Sequence, residues 1–174
     1  MKRALFVGRF QPFHNGHLEV VKKIVNEVDE LVIVVGSSQY SHNKDNPFTA
    51  GERITMIRNA LKEAEVSLSQ IWIIPVPDVH HHSLWVSQVV GYCPKFDVVY
   101  ANEPLTRRLF IEAGFKVEDM PLIKREVYLA TEIRERMETG KEWETLVPPK
   151  VFEYIKEING DVRIWDLSKK DTVC

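Results

Sequence analysis

The chain has 174 residues, 44% hydrophobic and 28% charged, and its 23 Lys and Arg against 25 Asp and Glu leave a formal net charge of −2. A chain of that length buries about 70% of the surface its unfolded form exposes, so no disulfide staple is required, and Cys93 and Cys174 lack the C-x-x-C spacing of a zinc site or disulfide framework. Neither sign forms a block that would grip a nucleic acid and no apolar run approaches membrane-spanning length, so the expectation is a soluble, cytoplasmic protein with any anion held in a small dedicated pocket.

Ala4-Leu5-Phe6-Val7, too short for a signal peptide, reads as a first strand. Gly8-Arg9-Phe10-Gln11-Pro12-Phe13-His14-Asn15-Gly16-His17 follows as a glycine turn and the start of a helix whose apolar stripe is Leu18, Val21, Ile24, Val25 and Val28. The free N–H groups and dipole of such a start attract an anion. His14 and His17, three apart, share one helix face and can converge on the same anion, while Gly16 lets a ligand or backbone approach. Leu31 to Val35, apolar on both faces, is a central parallel strand ended by Gly36. The resulting βαβ unit places a ligand beyond the strands' C-terminal ends.

The polar run from Gly36 to Phe48 is long for a passive connector and reads as a functional loop. Thr49-Ala50-Gly51-Glu52 has capping-box spacing and opens a second helix with Ile54, Ile57 and Leu61 inward. Arg53 in its first turn is expected to be a solvated surface arginine rather than a ligand contact. Ile71 to Ile74 is a third strand, stopped by Pro75 and Pro77. His80-His81-His82 lacks the spacing and the partners of a metal site. Trp85 is either a core residue or a flat surface for an aromatic ring at a pocket mouth. Phe96 to Tyr100 is a fourth strand. Pro104 begins a helix with Leu105, Leu109 and Phe110 inward and Gly114 at its end, and Phe115 to Val117 is a short fifth strand. This alternation implies an α/β sheet covered on both faces.

Thr131 to Met137 reads as a helix of about two turns, with Thr131 as N-cap and Gly140 as C-cap. Arg134, at its third position, opposes the helix dipole. Either an anion at that end offsets this, or Glu132 and Glu135 neutralise the arginine on the surface. Pro149 opens a last helix with Phe152, Ile155 and Ile158 inward and Gly160 closing it, and 161–174 stay unassigned. Residues 1–174 read as one domain with a helical C-terminal part from about 131.

Gly8 to His17 resembles the G-x-F-x-P-x-H-x-G-H signature of the nucleotidylyltransferase superfamily. Gly36-Ser37-Ser38-Gln39, Ser41-His42, Asn46 to Arg53, Thr131 to Arg134 and Leu146-Val147-Pro148 extend the likeness to the archaeal-type nicotinamide-nucleotide adenylyltransferases. The resemblance implies a Rossmann-like parallel sheet of the nucleotidylyltransferase type, Mg²⁺ brought with ATP, and a homo-oligomer, often a hexamer. It implies synthesis of NAD, or deamido-NAD, and pyrophosphate from ATP and nicotinamide or nicotinic acid mononucleotide. His14, His17 and Arg134 would be the catalytic contacts to the ATP phosphates, with Gly8, Arg9, Phe10, Gly16, Thr131 and Arg136 around ATP. Ser37, Ser38, His82 and Trp85 would bind the nicotinamide nucleotide, Trp85 stacking on its ring, and no residue would ligate a metal. His82 stands where relatives usually carry an asparagine that reads the carboxamide; a histidine would instead attract a carboxylate, which leaves amide and acid both open. Leu129-Ala130 and Ala101-Asn102-Glu103 also depart from the family's Ser-Gly and Ser-Gly-Asn.

The implied reaction is in-line attack of the nucleotide's phosphate on the α-phosphorus of ATP, which asks for positioning and charge stabilisation rather than a strong base. Two rivals stand beside it. One is transfer to another phosphate, flavin mononucleotide or phosphopantetheine, the latter offering Trp85 no ring. The other is a non-catalytic ATP- or NAD-sensing module, which would bind without releasing pyrophosphate.

Overall fold

Apolar runs and amphipathic segments alternate from the first strand onward. The computed structural model describes residues 1–120 and 129–169, so Cys174 and the last part of the expected C-terminal region lie outside the described residues. In chain order the elements are β1 (Arg3–Gly8), α1 (Asn15–Val25), β2 (Glu30–Val35), α2 (Ala50–Glu63), β3 (Ile71–Pro75), α3 (His82–Tyr92), β4 (Val98–Tyr100), α4 (Pro104–Glu112) and β5 (Lys116–Glu118). Three helices follow, α5 (Ala130–Thr139), α6 (Pro149–Glu157) and α7 (Gly160–Ser168). All strand pairs are parallel, in the order β3-β2-β1-β4-β5. The order reverses at β1, so the crevice that ligands use in such sheets opens beyond Gly8.

Strand period explains the two cores. Ala4 and Phe6 with Leu31, Ile33 and Val35 face a cluster completed by α1, α2, α5, α6 and α7. Leu5 with Val32 and Val34 faces a smaller one completed by α3 and α4. Both faces of the central strands are thus covered by helices, as their unbroken apolar runs require.

Several boundaries differ from the sequence reading. Leu105 is exposed, at 43%, while Phe110 is buried. α5 starts at Ala130 behind Leu129, which makes no side-chain cap bond, so Thr131 lies inside the first turn and Arg134 a full turn in. Gly160 does not end the last helix. Asn159 turns the chain at φ +52° and Gly160 opens α7. Arg163 then donates to both carboxylate oxygens of Glu52, at 2.7 and 2.8 Å, and to the Pro47 carbonyl at 3.0 Å, which fastens α7 onto the start of α2.

Candidate active site

The ends of β1 and β2 are tied where Gly36 N–H donates to the Gly8 carbonyl at 2.9 Å. A Cβ at Gly8 would lie 2.8 Å from the Phe10 ring, so only glycine fits there. Phe10 and Ser37, just past the two strands, both take left-handed backbone angles, φ +54° and +50°. Non-glycine residues adopt that conformation at a cost and do so mainly where loops carry function.

The Phe10 ring is buried and meets Phe6 edge-on at 5.3 Å and His17 at 4.9 Å, with Phe13 5.4 Å from the same histidine. The Phe10 ring is therefore a platform for His17, which leaves the Phe10 backbone as the part that could meet a nucleotide. Gly16 is buried on α1. His14 is the N-cap of α1 and His17 its third residue, and the two form a reciprocal capping box: each Nδ1 accepts the other's backbone N–H at 3.3 Å. Their rings stack at 3.5 Å. An accepting Nδ1 carries no proton, so in each neutral ring the N–H is at Nε2. Burial lowers the His14 pKa to about 4, and burial together with His14 holds that of His17 well below the usual histidine value. At neutral pH the pair is two N–H donors rather than the two cations that a charge-neutralising role suggests.

Positive charge comes from arginines instead. Arg53, expected in solvent, is fully buried. Its Nη1 donates to the carbonyls of Gly36 at 2.7 Å and Arg9 at 2.9 Å, its Nη2 to Ser37 at 3.1 Å and its Nε to Thr49 at 3.2 Å. The turns after β1 and β2 leave the Arg9, Gly36 and Ser37 carbonyls without ladder partners, and a guanidinium fork is the side chain that can serve several at once. Burial, then the nearby Arg9, lower its pKa to about 10. Arg134 is also buried, donating to the Gln11 carbonyl at 2.8 Å and to Thr131 Oγ1 at 3.4 Å. Burial and then Arg9 lower its pKa too, against the opposing pull of Asp45, Glu138 and Glu135. Glu132 does not neutralise it but pairs with Arg136 at 2.7 Å. Arg136 also donates to the Glu142 carbonyl at 3.0 Å, so its fork is committed away from this group. Among the described residues, Arg9, Arg53 and Arg134 have no carboxylate in an ion pair.

Gln11 is a positioning residue that sequence reasoning missed. Its buried amide donates to the Phe48 carbonyl and accepts the Phe48 N–H, both at 3.0 Å, which bolts the 36–48 loop to the β1–α1 turn. A glutamine inside the first motif was the available signal, but its partner 37 residues on was not.

Beyond Ser37 opens a cavity of about 640 Å³ whose wall gathers Gly8, Arg9, Ser37, His82 and Trp85. Asp78, to which the sequence reading gave no role, and Glu103, named there only as a departure from the family's Ser-Gly-Asn, belong to the same wall, as does the exposed Leu105. Trp85 meets Phe110 edge-on at 5.7 Å, so it is at once the edge of the core and a cavity wall. Ser38 is not in the wall; its N–H bonds the Val76 carbonyl at 3.3 Å. His14, His17, Thr131 and Arg134 also lie outside it, linked to it through Arg9, which lines the cavity and whose charge reaches both buried arginines. Among the described residues no three His, Cys, Asp or Glu side chains gather as a metal site, and no helix is long and apolar enough to cross a membrane.

A parallel α/β sheet, a helix start primed for phosphate, unpaired arginines beside it and an aromatic-walled cavity define a nucleotide-handling enzyme class. The family model described as cytidylyltransferase-like matches residues 5–136. Proteins named nicotinamide-nucleotide adenylyltransferase from Saccharolobus solfataricus and Archaeoglobus fulgidus are each 52% identical, covering 98% and 97% of this chain and 99% of each relative. The chain therefore belongs to the nicotinamide-nucleotide adenylyltransferase family. In fold it is similar to a bifunctional NMN adenylyltransferase/ADP ribose pyrophosphatase from Francisella tularensis, solved with AMP and a Mn ion, at a TM-score of 0.79 and 23% identity. That match covers 95% of this chain and 51% of the Francisella chain, so the present chain spans about half of that protein.

Proposed function

We propose that the chain transfers the adenylyl group of ATP to the phosphate of a pyridine mononucleotide, releasing pyrophosphate and forming NAD or its deamido form. The observation that carries this is the grouping of Arg9, Arg53 and Arg134, without carboxylate partners, between the histidine-capped start of α1 and a cavity walled by Trp85. Two buried arginines and an exposed third, none in an ion pair among the described residues, beside a helix N-terminus call for a polyanion.

In this reading the triphosphate lies over the start of α1. His14 and His17 donate from Nε2, Arg134 and Arg9 supply charge, Thr131 holds Arg134, and Gly8 and Gly16 leave room. The acceptor's ring lies against Trp85, with Ser37 and His82 beside it. Its phosphate attacks the α-phosphorus in line, and pyrophosphate departs toward the arginines. A phosphate monoester is nucleophilic enough near neutral pH, so the protein's share is alignment and stabilisation of the charge that moves onto the leaving group. The negative charge of a bound triphosphate raises the histidine pKa values again, strengthening both donors when substrate is present. Mg²⁺ would arrive on the ATP phosphates and supply further charge neutralisation there; the described side chains suit phosphate oxygens and offer the ion no carboxylate cage. The same proposal takes residues 1–174 as one catalytic domain working in the cytoplasm, as a homo-oligomer, with exposed Tyr92, Ile111 and Trp165 available as apolar contacts.

The test is product analysis with Mg²⁺, ATP and each mononucleotide in turn. Dinucleotide and pyrophosphate in equal amounts are expected. Saturable ATP binding with no pyrophosphate from either acceptor would overturn the proposal in favour of a sensing module, and release only with flavin mononucleotide or phosphopantetheine would reassign the acceptor.

A further inference from the structure

We infer that the cavity selects the uncharged nicotinamide nucleotide over the nicotinic acid nucleotide, and that Asp78 and Glu103 are the specificity-determining residues. This rests on the reading of the cavity as the pyridine nucleotide's site. The two substrates share ring, ribose and phosphate and differ only where one carries a carboxamide and the other a carboxylate.

The cavity's hydrogen-bond inventory treats those two groups differently. Two sets of N–H groups that could receive a carboxylate, at Ser37 and at the start of α4, are already occupied by the protein's own acids. Ser37 N–H donates to Asp78 Oδ1 at 3.2 Å, and the Leu105 and Thr106 N–H groups at the start of α4 donate to the two oxygens of Glu103 at 3.1 and 2.6 Å. Glu103 thus fills the anion-attracting pole of α4. The one arginine in the wall, Arg9, lies toward the buried Arg53 and Arg134, at the phosphate end. At the other end the wall has His82 and Trp85, three apart on the first turn of α3. His82 alone would favour a carboxylate, but Glu103 stands near enough for the two to interact, so a second carboxylate there would meet Glu103 as well.

Beside His82 and the start of α3, what Ser37 and the start of α4 leave facing a ligand is therefore the remaining lone pairs of two carboxylates. A carboxamide brings two N–H donors to them and an acceptor oxygen for His82 or the start of α3. A carboxylate brings no donor and a third negative charge. Like charges about 5 Å apart at the edge of a protein discriminate by roughly 10- to 100-fold, and the device works by repelling the wrong substrate rather than by tightening on the right one.

Steady-state kcat/KM for each mononucleotide with ATP, in the native enzyme and in Asp78→Asn and Glu103→Gln, tests this. The native enzyme is expected to favour the amide by about 10-fold or more, with each variant narrowing that ratio mainly through a lower KM for the acid. Equal use of both, or preference for the acid, overturns the selectivity. A ratio unmoved in both variants overturns the assignment to these residues. If Glu103→Gln loses its helix cap and fails to fold, Asp78→Asn, which caps no helix, reads the same ratio. Absence of dinucleotide from either acceptor would instead sink the proposed reaction, and the relative Kd of the two mononucleotides by calorimetry would then decide the selectivity on its own.

Discussion

At His17 two tasks fall on opposite edges of one ring: Nδ1 accepts the His14 N–H, and Nε2 carries the proton available to a phosphate. Glutamine at the third helical position preserves the capping acceptor but has no donor at the same reach. His17→Gln is expected to cost about 1–2 kcal/mol of stability through lost packing on Phe10 and Phe13, and about 100-fold in kcat. Urea denaturation and pyrophosphate release measure the two, and full turnover in the folded variant would remove His17 from the chemistry. Arg53 shows the reverse weighting. Arg53→Met leaves the Gly36 and Arg9 carbonyls at the heart of the site without their donor, while Ser37 and Thr49 keep backbone partners, so a loss of about 3 kcal/mol is expected. A shift in the urea midpoint equivalent to less than about 1 kcal/mol would mean that water replaces the fork.

Among the elements, those whose signals are local were legible in advance. β1 and β2 are apolar on both faces because both faces are buried, and α2 opens on the Thr49–Glu52 capping box that its spacing announced. Gly8, Arg9, Ser37, His82 and Trp85 meet in one cavity because turns after parallel strands fall at one end of the sheet. What the sequence hid depends on partners far along the chain. Arg53 is buried by carbonyls that two other turns release, and Asp78 and Glu103 matter only because separate loops place them in one wall. Helix α7 was illegible for a related reason. Its N-terminal glycine is selected by packing and not by helix ending: a Cβ on Gly160 would lie 2.7 Å from the Phe48 ring and 3.3 Å from the Ile155 carbonyl. Gly160→Ala is accordingly expected to cost about 1–3 kcal/mol despite alanine's better helix propensity, and Phe48→Leu in the same chain to recover part of it. Thermal denaturation of the single and double variants decides; a neutral or stabilising Gly160→Ala would show that α7 shifts freely on α2.

For the molecule as a whole, the buried histidines couple folding to protons. His14 titrates at about 4 when folded, against 6.5 when exposed, so between those values the unfolded chain binds more protons than the folded one. Stability must therefore rise with pH across that window and fall as the solution is acidified from about 6.5 toward 4. From His14 alone the loss approaches about 3 kcal/mol once the window is crossed, with roughly two-thirds of it already present at pH 5, and His17 adds to it with the same sign. Carboxylates titrate near the lower end, so the native curve alone would not isolate the effect. His14→Asn does, because asparagine keeps a capping acceptor for the His17 N–H and cannot titrate. Urea denaturation of both proteins at pH 7.5 and pH 5 should show the native chain losing about 2 kcal/mol more than the variant. Equal losses would mean that the folded protein takes up the His14 proton as readily as the unfolded chain does, giving up the Nδ1 acceptor of the capping box at no cost. The two rings would then enter the reaction as cations, and the neutral-donor account of the phosphate site would have to give way.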